Sequence, residues 1–159
     1  MYGRVFIGPC SSSLFVRTSK RCKLVVACRQ LRTRDLDNCD FSLYSQTQPV
    51  IESSKNLRFS CFRYNYFNLS EQFRSSGMSV FNNKWSEIYD FTASGGRPNF
   101  TFLTESEADI GNFFPTPASQ LHAHISAEEE DPAAVLENCP VPCTVGKRPG
   151  AQLPETMLL

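Results

Sequence analysis

The chain has 159 residues and a mass of 17.9 kDa, enough for one compact domain with some chain to spare. Apolar residues make up 41% and charged residues 20%, with 13 Phe, 5 Tyr and 1 Trp, which excludes wholesale disorder. The 16 Lys plus Arg balance the 16 Asp plus Glu, which argues against a generally basic nucleic-acid binder and against a generally acidic solvating chain.

The balance hides a polarity along the chain. Residues 1–34 carry eight basic side chains and no acidic one, whereas residues 104–159 carry nine acidic and two basic. The basic end reads either as a docking surface for phosphates or an acidic partner, or as a solvated face. No RNP, KH or zinc-finger motif accompanies it, so no nucleic-acid partner is expected. No apolar run approaches the ~20 residues that cross a bilayer, and no secretory pattern opens the chain. The expectation is an intracellular protein with reduced thiols.

From the N-terminus onward, Val5-Phe6-Ile7-Gly8-Pro9 looks like part of an earlier coil, as if the chain begins inside a repeating structure. A polar-to-apolar transition then recurs at Arg21-Cys22-Lys23-Leu24, Asn38-Cys39-Asp40-Phe41 and Lys55-Asn56-Leu57-Arg58-Phe59, with Cys22, Cys39 and Asn56 spaced by 17 and 17. Each transition opens a short β-prone run. A second set, Leu14-Phe15-Val16-Arg17, Leu31-Arg32-Thr33-Arg34 and Pro49-Val50-Ile51-Glu52, keeps nearly the same period. Such a period is too short for two helices per repeat and suits one coil of a parallel β-helix, with a corner ladder of small or left-handed-tolerant residues. An ordinary sandwich with evenly spaced strands is the alternative.

Beyond the repeats, Leu69-Ser70-Glu71-Gln72-Phe73-Arg74 followed by Ser75-Ser76-Gly77 predicts a short helix with a glycine stop. Phe81-Asn82-Asn83-Lys84-Trp85 reads as an aromatic loop that either caps the open end of the solenoid or serves function directly. Residues 115–159 hold seven of the ten prolines and the acidic run Glu128-Glu129-Glu130-Asp131, so they read as a linker or tail with at most a short helix within 116–136. His122 and His124 fall there and are expected to face solvent. Cys139 and Cys143 have the spacing of a zinc half-site but lack a second pair, so no metal is assigned. Gly146-Lys147-Arg148 lacks the upstream glycine and the Ser/Thr of a P-loop.

The most informative segments are Ala27-Cys28-Arg29-Gln30-Leu31-Arg32, Gln48-Pro49-Val50-Ile51-Glu52-Ser53-Ser54, Phe81-Asn82-Asn83-Lys84-Trp85 and Asp90-Phe91-Thr92. Together, over residues 4–114, they resemble the tubulin-folding cofactor C-like (C-CAP) domain family. The resemblance implies an all-β, right-handed parallel β-helix over residues 1–114, here without its first coils, and leaves open whether the sequence is a fragment or splice product. It also implies a GTPase-activating protein, with one branch of the family acting on an Arf-like small GTPase in its GTP state and the cofactor C branch on tubulin. The family's essential arginine falls on Arg32, an arginine finger supplied in trans. Ser12, Ser13, Arg29, Gln30, Leu31 and Arg32 then form the set facing the partner's GTP, and Glu52 and Phe81 lie at the GTPase interface. No cofactor of its own is implied, since GTP and Mg2+ would be held by the partner. A non-catalytic effector using the same surface is the alternative. The family suggests a cytoplasmic protein with a place in ciliary or membrane traffic. Met1-Tyr2-Gly3 lacks the glycine after the initiator that myristoylation requires, so no N-terminal acylation is expected.

Overall fold

The computed structural model describes residues 3–113 and 139–144. Its named strands are β1 (Gly3–Lys20), β2 (Cys22–Asp37), β3 (Asp40–Ser45), β4 (Val50–Glu52), β5 (Leu57–Cys61), β6 (Tyr89–Asp90) and β7 (Phe100–Phe102), with helices α1 (Leu69–Ser76) and α2 (Ile110–Phe113). Every pairing between these strands is parallel. The first halves of β1 and β2 continue into β3, β5 and β7, and their second halves continue into β4 and β6, so two walls run side by side. This is the expected parallel β-solenoid, and the evenly spaced sandwich is excluded. β1 turns from one wall to the other through register shifts between Ile7 and Cys10 and between Cys10 and Ser13.

The corners are built differently from the predicted Cys22, Cys39 and Asn56 ladder. Left-handed backbone occurs at Arg21, Asn38 and Asn56 (φ 53°, 55° and 54°), and again at Thr18, Asp35 and Ser53. The spacing in both ladders is therefore 17 and then 18. The extra residue lies between Ser45 and Val50, because Cys28 pairs with Ser45 while Arg32 pairs with Val50. Cys22 and Cys39 sit one step past the corner and are buried.

Asparagine tolerates the left-handed region, which costs other L-residues roughly 1–2 kcal/mol. Asn56→Gly is expected to leave stability unchanged or slightly raised, while Asn56→Val should lose about 1–2 kcal/mol in urea titration. Equal midpoints for Gly and Val would show that the corner is not under this constraint.

Between the walls, Phe41 and Phe59 stack at 4.9 Å with planes 11° apart, and Phe100 meets Phe59 edge-on at 6.1 Å. On the outside of the same wall, Lys23, Asp40 and Arg58 occupy one register row, and Arg58 grips Asp40 through two bonds of 2.7 and 2.8 Å. Buried Ser54 ties the other wall together, accepting from the Leu36 amide at 3.1 Å and donating to the Glu52 carbonyl at 2.8 Å.

The predicted helix is α1, and Gly77 ends it in the left-handed region (φ 68°) with its amide bonded to the Arg74 carbonyl. The aromatic loop hydrogen-bonds to the C-terminal end of β3. Asn83 accepts from the Ser45 amide at 3.0 Å and donates to the Leu43 carbonyl at 3.2 Å, and Trp85 is buried behind it. Of the expected tail, residues 139–144 dock on this end: Val141 is buried, Thr144 accepts from the Trp85 indole at 2.8 Å, and Cys139 donates to the Tyr64 carbonyl. The expected helix within 116–136, His122, His124 and Gly146-Lys147-Arg148 lie outside the described residues. Among the described residues, no helix is long and apolar enough to cross a membrane.

Candidate functional site

Alternation along β2 sets the site. Leu31 and Thr33 turn into the core while Arg32 and Arg34 are exposed, with Gln30 half-buried beside them. This corrects one assignment: Leu31 is fully buried, so its side chain is a core residue and faces no partner. The strand continues to Asp37, so Gln30, Arg32 and Arg34 share a face, as the spacing predicts.

Register rows then bring in neighbours from other coils. Ser13 lies beside Gln30 and its hydroxyl donates to Oε1 at 3.3 Å. Phe15, Arg32, Val50 and Tyr89 form the next row, and Arg17, Arg34 and Glu52 the one after. Glu52 thus lies level with Arg34, as the second repeat set aligns them. Arg34 pairs instead with Asp35 at 3.7 Å, both half-exposed, a surface contact of little energetic weight.

Arg32 itself faces solvent with no carboxylate in ion-pair range among the described residues. Its Cζ sits 5.6 Å from the ring centroid of Phe15. At the corner between the walls, the Arg29 carbonyl accepts from both the amide and the hydroxyl of Thr47, while its side chain is exposed. Exposed Ser12 lies there too, and its hydroxyl and backbone hydrogen-bond Cys10, holding that thiol below its ordinary range. By contrast, burial pushes the Cys28 thiol up to about 12. Phe81 is 82% exposed, so the loop binds the end of β3 through Asn83 and Lys84 while the Phe81 ring projects.

Among the described residues, this wall also exposes three aromatics to which the sequence assigned no site role: Phe15, Tyr89 and Phe91. Phe15 had a signal, since it aligns with Arg32 in the repeat. Phe91 lies within the Asp90-Phe91-Thr92 segment, whereas Tyr89 had no signal, because it enters the wall through a loop outside the repeat. The Asp90 carboxylate between them holds the local turn, accepting from the Thr92 and Asn99 amides at 3.2 and 2.7 Å.

The family model for tubulin binding cofactor C matches residues 2–91, the solenoid that carries this wall. The chain belongs to that family. Protein XRP2 from Gallus gallus is 46% identical over 98 residues, covering 62% of this chain and 27% of that protein. Tubulin-specific chaperone C from Mus musculus is 28% identical over 110 residues, covering 67% of this chain and 32% of that protein. The chain thus spans about a quarter to a third of the length of these curated relatives. The solved structure of tubulin binding cofactor C from Leishmania major superposes with a TM-score of 0.52 at 20% identity, over 67% of this chain and 82% of that one, which establishes the cofactor C fold. Among the described residues, no group of three or more His, Cys, Asp or Glu side chains is placed to hold a metal ion.

Proposed function

We propose that this cofactor C-family domain stimulates GTP hydrolysis by an Arf-like small GTPase, with Arg32 entering the partner's site in trans. The observation that carries the reading is Arg32 itself, an exposed guanidinium on a rigid β-wall with no carboxylate partner among the described residues. GTP hydrolysis builds negative charge on the phosphoryl oxygens, and a planar, permanently charged donor set neutralises it. GTP and its Mg2+ stay with the partner. Ser13 and Gln30, already hydrogen-bonded to each other, would position the finger or meet the nucleotide, with Ser12 and Arg29 at the adjoining corner. Glu52 and Phe81 would contact the GTPase. The reading includes a cytoplasmic role in ciliary or membrane traffic.

The test is single-turnover hydrolysis by a panel of GTP-loaded Arf-like GTPases across a concentration series of this chain. Stimulation of at least one of them is expected, and none at all would sink the reading. Tubulin is the second partner to assay, because a relative of this chain is named for tubulin. Within the same titration, Phe81→Ala should raise the half-saturating concentration about 30-fold, the size of an interface hot spot worth about 2 kcal/mol, without lowering the saturating rate. An unchanged titration would mean that Phe81 makes no contact.

A further inference from the structure

We infer that Phe15 is the positioning residue for Arg32, an aromatic rest that aims the guanidinium without occupying its donors; this builds on the arginine-finger reading above. Phe15 and Arg32 are direct register partners on adjacent coils, and the ring is 52% exposed. Two guanidinium carbons approach that one ring, Arg32 Cζ at 5.6 Å and Arg17 Cζ at 5.6 Å. On the other side, Arg32 has only Val50 in register, a short side chain that offers no charge. A flexible arginine on an open sheet face samples many rotamers, and those pointing away from the partner are unproductive.

The chemistry of the contact suits a finger. A carboxylate at this place would fix Arg32 by consuming its N–H donors in a charge-assisted pair, which docking would have to break. The face of an aromatic ring attracts the cation electrostatically and leaves those donors available. Sharing the ring with Arg17 keeps a second positive charge beside Arg32, which favours approach of an anionic partner surface. Phe15 is therefore expected to affect the rate once the complex has formed more than the affinity of forming it.

The experiment is the same single-turnover titration with Phe15→Leu, Phe15→Tyr, Phe15→Trp, Arg32→Ala and the double variant, after circular dichroism shows that each is folded. Phe15→Leu should lower the saturating rate about 3- to 30-fold with a nearly constant half-saturating concentration, the range set by an exposed or a desolvated cation–π contact. Phe15→Tyr and Phe15→Trp should restore it, and Phe15→Leu should add no further loss to Arg32→Ala. A change confined to the half-saturating concentration, or no change, would overturn the inference. If Arg32→Ala leaves stimulation intact, the finger reading fails instead. The resting contact is then judged by the Arg32 Nε–Hε NMR resonance, which should be ring-current shifted in the wild type and Phe15→Tyr but not in Phe15→Leu. An Arg32 resonance indifferent to Phe15 would overturn the contact whatever the partner does.

Discussion

Arg32→Ala is expected to abolish the stimulation of GTP hydrolysis while leaving the fold and the binding of the GTP-loaded partner in place. Arg32 lies on the outer face of β2, and no core residue or ion pair among the described residues depends on its side chain. Stability should therefore change by less than about 0.5 kcal/mol, as for ordinary surface substitutions. An arginine finger supplies roughly 10³ to 10⁵ in rate, or about 4 to 7 kcal/mol of transition-state stabilisation. Arg32→Lys should fail almost as completely. Lysine keeps the charge but presents a compact ammonium in place of a planar fork, and so cannot bridge two phosphoryl oxygens at fixed geometry. Rates at saturating activator separate this from weakened docking. If the wild type stimulates and Arg32→Ala does so equally while still binding, the finger is elsewhere. If neither stimulates but both bind the GTP state, the chain is an effector.

The largest stability effect is expected at Phe59, where Phe59→Ala should cost about 3 to 5 kcal/mol. Phe59 is fully buried in β5, stacked on Phe41 from the preceding coil and met edge-on by Phe100 from the following one. Removing the ring leaves a cavity that three coils border. A parallel solenoid has little freedom to close it, because its coils are held at a fixed spacing by their ladders. That loss is a large share of the usual 5 to 15 kcal/mol of a domain. A fall in Tm on the order of 10 °C is expected by circular dichroism. A shift of only a degree or two would mean that coils carry their stability independently and that the stack is not the structural spine.

Much of the fold was legible because it is periodic. Each coil places similar residues at similar points, so Leu14, Leu31 and Pro49 mark one wall and the corners mark the turns between walls. The helix that ends at Gly77 was legible for a local reason, the left-handed backbone glycine adopts without strain. The corner ladder was misaligned by one residue because an inserted residue before Val50 shifts the later coil while leaving its hydrophobic pattern intact. The loop at 81–85 was readable as aromatic and turn-rich. That Trp85 turns inward while Phe81 projects depends on Asn83 pairing with the coil edge, which no local signal specifies.

The sequence by itself determined the features that depend only on covalent order: the near-constant coil period, the alternation that sets Gln30, Arg32 and Arg34 on one face, and the concentration of positive charge at the N-terminal end. The tertiary structure decided which side chains of other coils stand beside Arg32. The repeat already aligned Phe15 with Arg32 and Glu52 with Arg34, while stacking of the coils lays the Phe15 ring against the guanidinium and adds Tyr89 to the row. These neighbours are 17 to 39 residues from their register partners in sequence, and a single added loop residue moves each by one position. In a strand, one position is the difference between the outer face and the core, so the site's composition is fixed only when the coils have stacked.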